Sequence, residues 1–218
     1  MDTRKLLPSV SCIMPTANRE KYIPLALQYF LEQDYNNKEL VIIDDGENSI
    51  KDLLPEDSRI KYYYFEPIGP IGTKRNFACQ RANGEIIMHW DDDDWHAKDW
   101  LSKQVYHLLH SGADITGIEH VHFYSPLADT FWEGTALNKK KATWLNGATL
   151  AYWKSFWSKN PFENLQTEED DRFLRNSGAK IYAHDYIDGF VAILHPNNTT
   201  VKYFENPAHK QKKRMINI

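Results

Sequence analysis

Four carboxylates stand on consecutive residues, Asp91-Asp92-Asp93-Asp94, with Trp90 and Trp95 on either side. Like charges this close repel wherever water is scarce, so the run calls for a positive partner. Oxygen ligands suit a hard divalent cation, Mg²⁺ or Mn²⁺, and such ions commonly keep open positions that phosphate oxygens fill. The competing reading is an acidic surface loop, or a strand end that caps the next helix. The flanking tryptophans favour a site, because aromatic flanks are not typical of a solvated charge run.

Asp44-Asp45-Gly46 is a second acidic point. Asp-Gly is a turn signal, yet an acid after the second strand of an α/β sheet commonly accepts hydrogen bonds from a ribose or base. Glu168-Glu169-Asp170-Asp171 opens a helical stretch, where acids also gain from the helix dipole. His195 follows a late apolar run; it is either a loop residue or a nitrogen ligand for Mn²⁺ and a contact for a diphosphate.

These residues need elements to hold them. Val10 to Met14 and Leu40 to Ile43 read as buried parallel strands, closed by Pro15 and by Asp44-Asp45-Gly46. Ile23, Leu27, Phe30 and Leu31 recur between them at helical spacing, which makes a βαβ crossover. The alternation continues with a strand over Ile60 to Phe65, a helix over Thr73 to Ala82 and a strand over Ile86 to Trp90. A helix bearing Leu101, Val105, Leu108 and Leu109 follows, with Asp99 as its expected cap. The expected fold is an α/β, Rossmann-like, mostly parallel open sheet with helices on both faces. Ligands of such sheets sit beyond the carboxyl ends of the strands, so Pro15-Thr16-Ala17-Asn18-Arg19, Asp44-Asp45-Gly46 and the Asp91 to Asp94 run should converge on one crevice.

From about Ala113 the regularity weakens, and Ala128 to Leu145, with Lys139-Lys140-Lys141, reads as a long loop or lid. A helix over Thr167 to Asn176, stopped by Gly178, and strands over Ile181 to Ala183 and Phe190 to Leu194 complete the expected elements.

The 218 residues suit one domain, and 42% hydrophobic with 26% charged residues is a globular composition. A net charge of -4 argues against nucleic acid as partner. The basic tail Lys210, Lys212, Lys213, Arg214 reads as a solvated terminus, with peripheral membrane contact as the minority reading. Cys12 and Cys79 lie in apolar segments without CxxC spacing, as in a reducing compartment, and no signal-peptide h-region or run of ~18 apolar residues is present. A cytoplasmic location is expected.

Taken together, Pro15-Thr16-x-Asn18-Arg19, Glu39-Leu40-Val41-Ile42-Ile43-Asp44-Asp45-Gly46, Lys74-Arg75-Asn76 with Ala82-Asn83-Gly84-Glu85, and Trp90-Asp91-Asp92-Asp93-Asp94-Trp95 resemble the family-2 glycosyltransferases of GT-A fold. The resemblance runs from about Ser9 to Thr200. It implies a nucleotide-binding half over about 9–112, an acceptor-binding half over about 113–200 and a tail over 201–218 within a single domain. It implies an inverting transfer from a nucleotide-sugar, UDP-linked by preference, to a carbohydrate or lipid-linked acceptor. By position, Asp45 matches the acid that reads the base, while Pro15, Ala17, Asn18 and Arg19 line the nucleotide. Asp91 and Asp93 match the DXD metal ligands, with His195 completing the shell, and Asp92 meets the ribose or diphosphate. Lys74 and Arg75 are equal candidates for the nucleotide. The general base is Asp170 or Glu169, since a shift of one residue would align Glu168-Glu169 instead.

Two other readings compete. A sugar nucleotidyltransferase would share sheet and metal, but its first loop should be glycine-rich, and Thr16-Ala17-Asn18-Arg19 holds no glycine. A non-catalytic sugar-nucleotide-binding module would share the scaffold alone.

Overall fold

The computed structural model describes residues 7–135, 144–196 and 198. The chain begins β1 (Val10–Thr16), α1 (Ile23–Leu31), β2 (Lys38–Asp44), β3 (Ile60–Tyr64), α2 (Ile71–Arg81) and β4 (Ile86–His89). It continues with β5 (Trp95–His96), α3 (Trp100–Ser111), β6 (Ile115–Ile118), β7 (His120–Ser125), β8 (Thr130–Thr135) and β9 (Ala151–Trp153). A short α4 (Lys154–Trp157), α5 (Glu169–Asn176), β10 (Ile181–His184) and β11 (Phe190–Ile193) follow.

The main sheet has the order β10-β6-β9-β4-β1-β2-β3 and is parallel except for β9, which runs antiparallel between β4 and β6. β1 is buried along its length, as its apolar run requires of a strand covered on both faces. Val10, Cys12 and Met14 pack into one core with Phe30 of α1 and Leu101 of α3, whereas Ile13 packs into the other with Ala78 of α2 and Phe173 of α5. Alternation along one strand thus places helices on both faces. Pro24 in the first turn suits the start of α1, since its missing N–H has no partner to lose there.

A second, smaller sheet has the order β5-β11-β7-β8. It corrects the expectation that order fades after Ala113: β6, β7, β8 and β9 all lie beyond that point. Residues 130–135 of the expected lid form β8, antiparallel to β7. Residues 136–143 of that segment lie outside the described residues, as do Asn197, Thr199, Thr200 and the basic tail. Asp99 does sit at the N-cap position of α3, but its side chain makes no cap bond and instead accepts from the Tyr186 hydroxyl. Gly178 takes φ +69° just past the end of α5, as a helix stop requires.

Several histidines are built into the core as neutral groups. His96 of β5 stacks on Trp90 at 3.9 Å and 11°, and burial pushes its pKa down to about 3. An unfolded histidine takes its proton near pH 6.5, so this depressed group withdraws stability as pH falls below 6.5 and leaves it intact above. His96→Phe is expected to gain about 2 kcal/mol on the wild type between pH 7.5 and pH 5, read from urea melts at both values. Parallel loss in both proteins would show that His96 does not remain neutral.

Candidate functional site

The three polar clusters meet at the carboxyl ends of β1, β2 and β4. β1 lies between β2 and β4, in register Thr16 to Asp44 on one side and Ile13 to His89 on the other. Thr16 Oγ1 donates to Asp92 at 2.6 Å, and Arg19 Nε donates to the other oxygen of Asp92 at 2.7 Å. Arg19 Nη2 is also paired with Asp93. Asn18 adopts a left-handed φ of 55°, and its Oδ1 accepts from the Glu47 amide at 2.7 Å. Gly46 makes this possible, because a Cβ there would lie 2.6 Å from the Asn18 amide nitrogen. Pro15 is buried within β1, while Ala17 is half-buried at the rim.

Asp45 is buried, accepts from the Ile68 amide at 3.2 Å and pairs with the Lys74 ammonium. Lys74 and Arg75 therefore part company. Arg75 is buried and points across the sheet, where Nε donates to Glu169 at 3.0 Å, Nη1 lies 2.6 Å from His89 Nδ1, itself 2.6 Å from the Gly147 carbonyl oxygen, and Nη2 lies 3.8 Å from Asp91.

The acidic run does not behave as a solvated loop. Asp92 and Asp94 are buried, and burial raises the Asp92 carboxyl to about 7 despite Arg19. Burial also raises Asp91, with the neighbouring Asp93 and Asp170 charges working in the same direction against Arg75 and Arg19. Asp93 collects donors: besides Arg19, His195 Nε2 lies 2.9 Å and Asn198 Nδ2 3.1 Å from its Oδ2. His195 stacks on Tyr22 at 4.5 Å, and burial lowers its pKa below the usual histidine value.

Among the described residues no group of three or more His, Cys, Asp and Glu side chains stands ready around one point as a metal cage. The donor set still fits a hard cation. Asp91 and Asp93 offer carboxylate oxygens, His195 offers a ring nitrogen 2.9 Å from Asp93, and Asp91 is left facing like charges that a cation would relieve.

Glu169 and Asp170 open α5 in different surroundings. Glu169 is 5% exposed and committed to Arg75. Asp170 is half-buried and acts electrostatically on both Asp91 and Arg75. Its carboxylate rests against Gly147, where a Cβ would fall 1.6 Å from Asp170 Oδ2. Glu168, which would head the shifted register Glu168-Glu169, is exposed with a left-handed φ of 66°.

Sequence reasoning missed three participants. Thr16 was visible in its cluster but had no assigned partner. His89 looks like one more residue of a buried strand. Gly147 carries only the weak signal of Asn146-Gly147, an ordinary turn dipeptide.

The family model described as glycosyl transferase family 2 matches residues 11–189. Over 95 residues the chain is 33% identical to GalNAc(5)-diNAcBac-PP-undecaprenol beta-1,3-glucosyltransferase of Campylobacter jejuni, covering 40% of this chain and 30% of that protein. S. aureus TarS 1-349 in complex with UDP-GlcNAc shares the fold, with a TM-score of 0.69 and 21% identity over 89% of this chain and 61% of that one. The mannosyltransferase PcManGT of Pyrobaculum calidifontis, in complex with GDP-Man and Mn²⁺, gives a TM-score of 0.66 and 18% identity over 87% of this chain and 57% of that one. The chain spans about half or less of the length of the curated relatives it matches.

Proposed function

The chain belongs to glycosyl transferase family 2, and from that premise we propose that it transfers a sugar, with inversion, from a nucleoside diphosphate donor to a hydroxyl of a carbohydrate or lipid-linked acceptor. UDP is the nucleotide favoured, since TarS, which shares the fold, is seen with UDP-GlcNAc. The observation that carries the reading is the meeting of Thr16, Arg19, Asp45 and Asp91 to Asp93 at the strand ends, with one half-buried carboxylate, Asp170, opposite them. Among the described residues no helix is long and apolar enough to cross a membrane.

The residues divide the work. Asp45 accepts hydrogen bonds from the base, with Lys74 released from it toward the phosphates. The Pro15 to Asn18 backbone flanks the nucleoside, and Asp92 meets the ribose or diphosphate. Arg19, now held by Asp92 and Asp93, is placed to exchange those carboxylates for phosphate oxygens. A divalent cation, Mn²⁺ or Mg²⁺, held by Asp91, Asp93 and His195 would supply electrostatic stabilisation of the departing diphosphate. Asp170 takes the proton of the acceptor hydroxyl. That oxygen bonds to the anomeric carbon as the carbon–diphosphate bond breaks, and the diphosphate leaves with the bonding pair.

A thermal-shift titration tests the donor site, because a ligand that binds only the folded chain stabilises it by ~2.7 kcal/mol at a hundred times its Kd. UDP with Mn²⁺ is expected to raise the Tm, and EDTA or Asp93→Ala to abolish the rise. An equal rise in EDTA would overturn the metal role. No rise with any nucleoside diphosphate would overturn the donor reading.

A further inference from the structure

One face of α2 is given over to gripping the second half of the chain. Gly72 donates its amide to Leu165 O at 3.0 Å, and a Cβ there would lie 2.0 Å from Glu163 O, so only glycine allows this approach. The Thr73 hydroxyl bonds the Asn164 side chain. Asn76 donates to Phe162 O at 2.8 Å, and its Oδ1 accepts from the Phe162 amide at 3.0 Å and Trp157 Nε1 at 2.9 Å. Arg75 lies among them and is the one charged member.

His89 Nδ1 lies 2.6 Å from both Arg75 Nη1, which only donates, and the Gly147 carbonyl oxygen, which only accepts, so it links Arg75 to the turn that presses on Asp170. Burial, then Arg75, pushes the His89 pKa well below the usual value. His89 Nε2 lies 3.3 Å from the Tyr152 hydroxyl, which is 3.4 Å from Cys79 Sγ. A buried polar chain therefore runs from Cys79 of α2 through Tyr152 of β9 and His89 of β4 back to Arg75 of α2, and on to Glu169 of α5. Two of its members are close in sequence to the proposed reacting groups: His89 is two residues before Asp91, and Glu169 is the residue before Asp170.

We propose that Arg75 is a positioning residue that, through Glu169 and His89, fixes the Asp170 carboxylate relative to Asp91. This rests on the transferase reading above. The geometry argues against a donor contact, because all three guanidinium nitrogens face protein groups: Nε on Glu169, Nη1 on His89 and Nη2 on Asp91. Stability alone is a poor reason for such a buried pair, since desolvation offsets much of its attraction. Position is a better one, because an error of about 1 Å between reacting groups costs up to ~10²-fold in rate.

The test is a double-mutant cycle in the full chain, using UDP-sugar turnover, UDP titration and melting curves. Arg75→Gln is expected to lower kcat about tenfold, with donor KM and UDP Kd unchanged and partial recovery in Arg75→Lys. In an Asp170→Asn background the same change should add no further loss, because its effect passes through Asp170. Should Arg75→Gln fail to fold, Arg75→Met with Glu169→Met removes both charges together and is read in the same cycle. Weakened UDP binding with kcat retained, an additive loss in the Asp170→Asn background, or an altered Tm with normal kcat each overturns the role. A wild-type chain that turns over no sugar nucleotide overturns the transferase reading itself.

Discussion

Asp170→Asn is expected to lower sugar transfer by ~10²- to 10⁴-fold while leaving UDP binding intact. The amide keeps the shape of the carboxylate and cannot take the acceptor's proton. Neighbouring acids do not offer a replacement. Glu169 is buried and bonded to Arg75, and Asp91 and Asp93 are the proposed metal ligands. Glu169→Gln keeps an oxygen for Arg75 Nε and loses only charge, so its effect is expected to be nearer tenfold, through the setting of Asp170. Steady-state kcat for the two variants, normalised to UDP-binding sites, decides between them. Full activity of Asp170→Asn beside an inactive Glu169→Gln would move the base to Glu169.

The crevice at the strand ends was legible because it is written locally. Short apolar runs ended by Pro15-Thr16, Asp44-Asp45 and Asp91 to Asp94 mark strand ends, and one topological rule brings strand ends together. The second half is written in long-range contacts. β9 has only three residues and takes its place between β4 and β6 only through tertiary pairing, so no period in the sequence announces it. Lys74 and Arg75 are adjacent and alike in charge, so nothing in the sequence told them apart, yet neighbours on a helix differ by about 100° in direction. The structure sends one to Asp45, just past the end of β2, and the other across β4 to Glu169, 94 positions later. The choice between Glu169 and Asp170 was open for the same reason. Both follow a helix start, and only the depth of burial beside Arg75 separates them.

Gly147→Ala reaches the proposed base, Asp170, from the opposite side and is expected to lower kcat by about 10²-fold with UDP affinity unchanged. Gly147 does not need glycine for its backbone, since its φ is not among the positive ones, so alanine introduces a side-chain effect alone. The added Cβ would lie 1.6 Å from Asp170 Oδ2, 2.6 Å from its Cγ and 3.0 Å from its Cβ. Something must move. α5 is anchored by the buried Phe173 and Leu174 and by Glu169 on Arg75, so the Asp170 side chain gives way and turns its carboxylate from the crevice. Overpacking of this kind typically destabilises by about 1–3 kcal/mol, which a melting curve will register separately from kcat. The decisive comparison is the double variant with Asp170→Asn, which should be no slower than Asp170→Asn alone, because the alanine acts by displacing a group already disabled. A Gly147→Ala enzyme of normal kcat would mean that the carboxylate pressed against this turn does not take the proton, and the base would have to be sought elsewhere around Asp91.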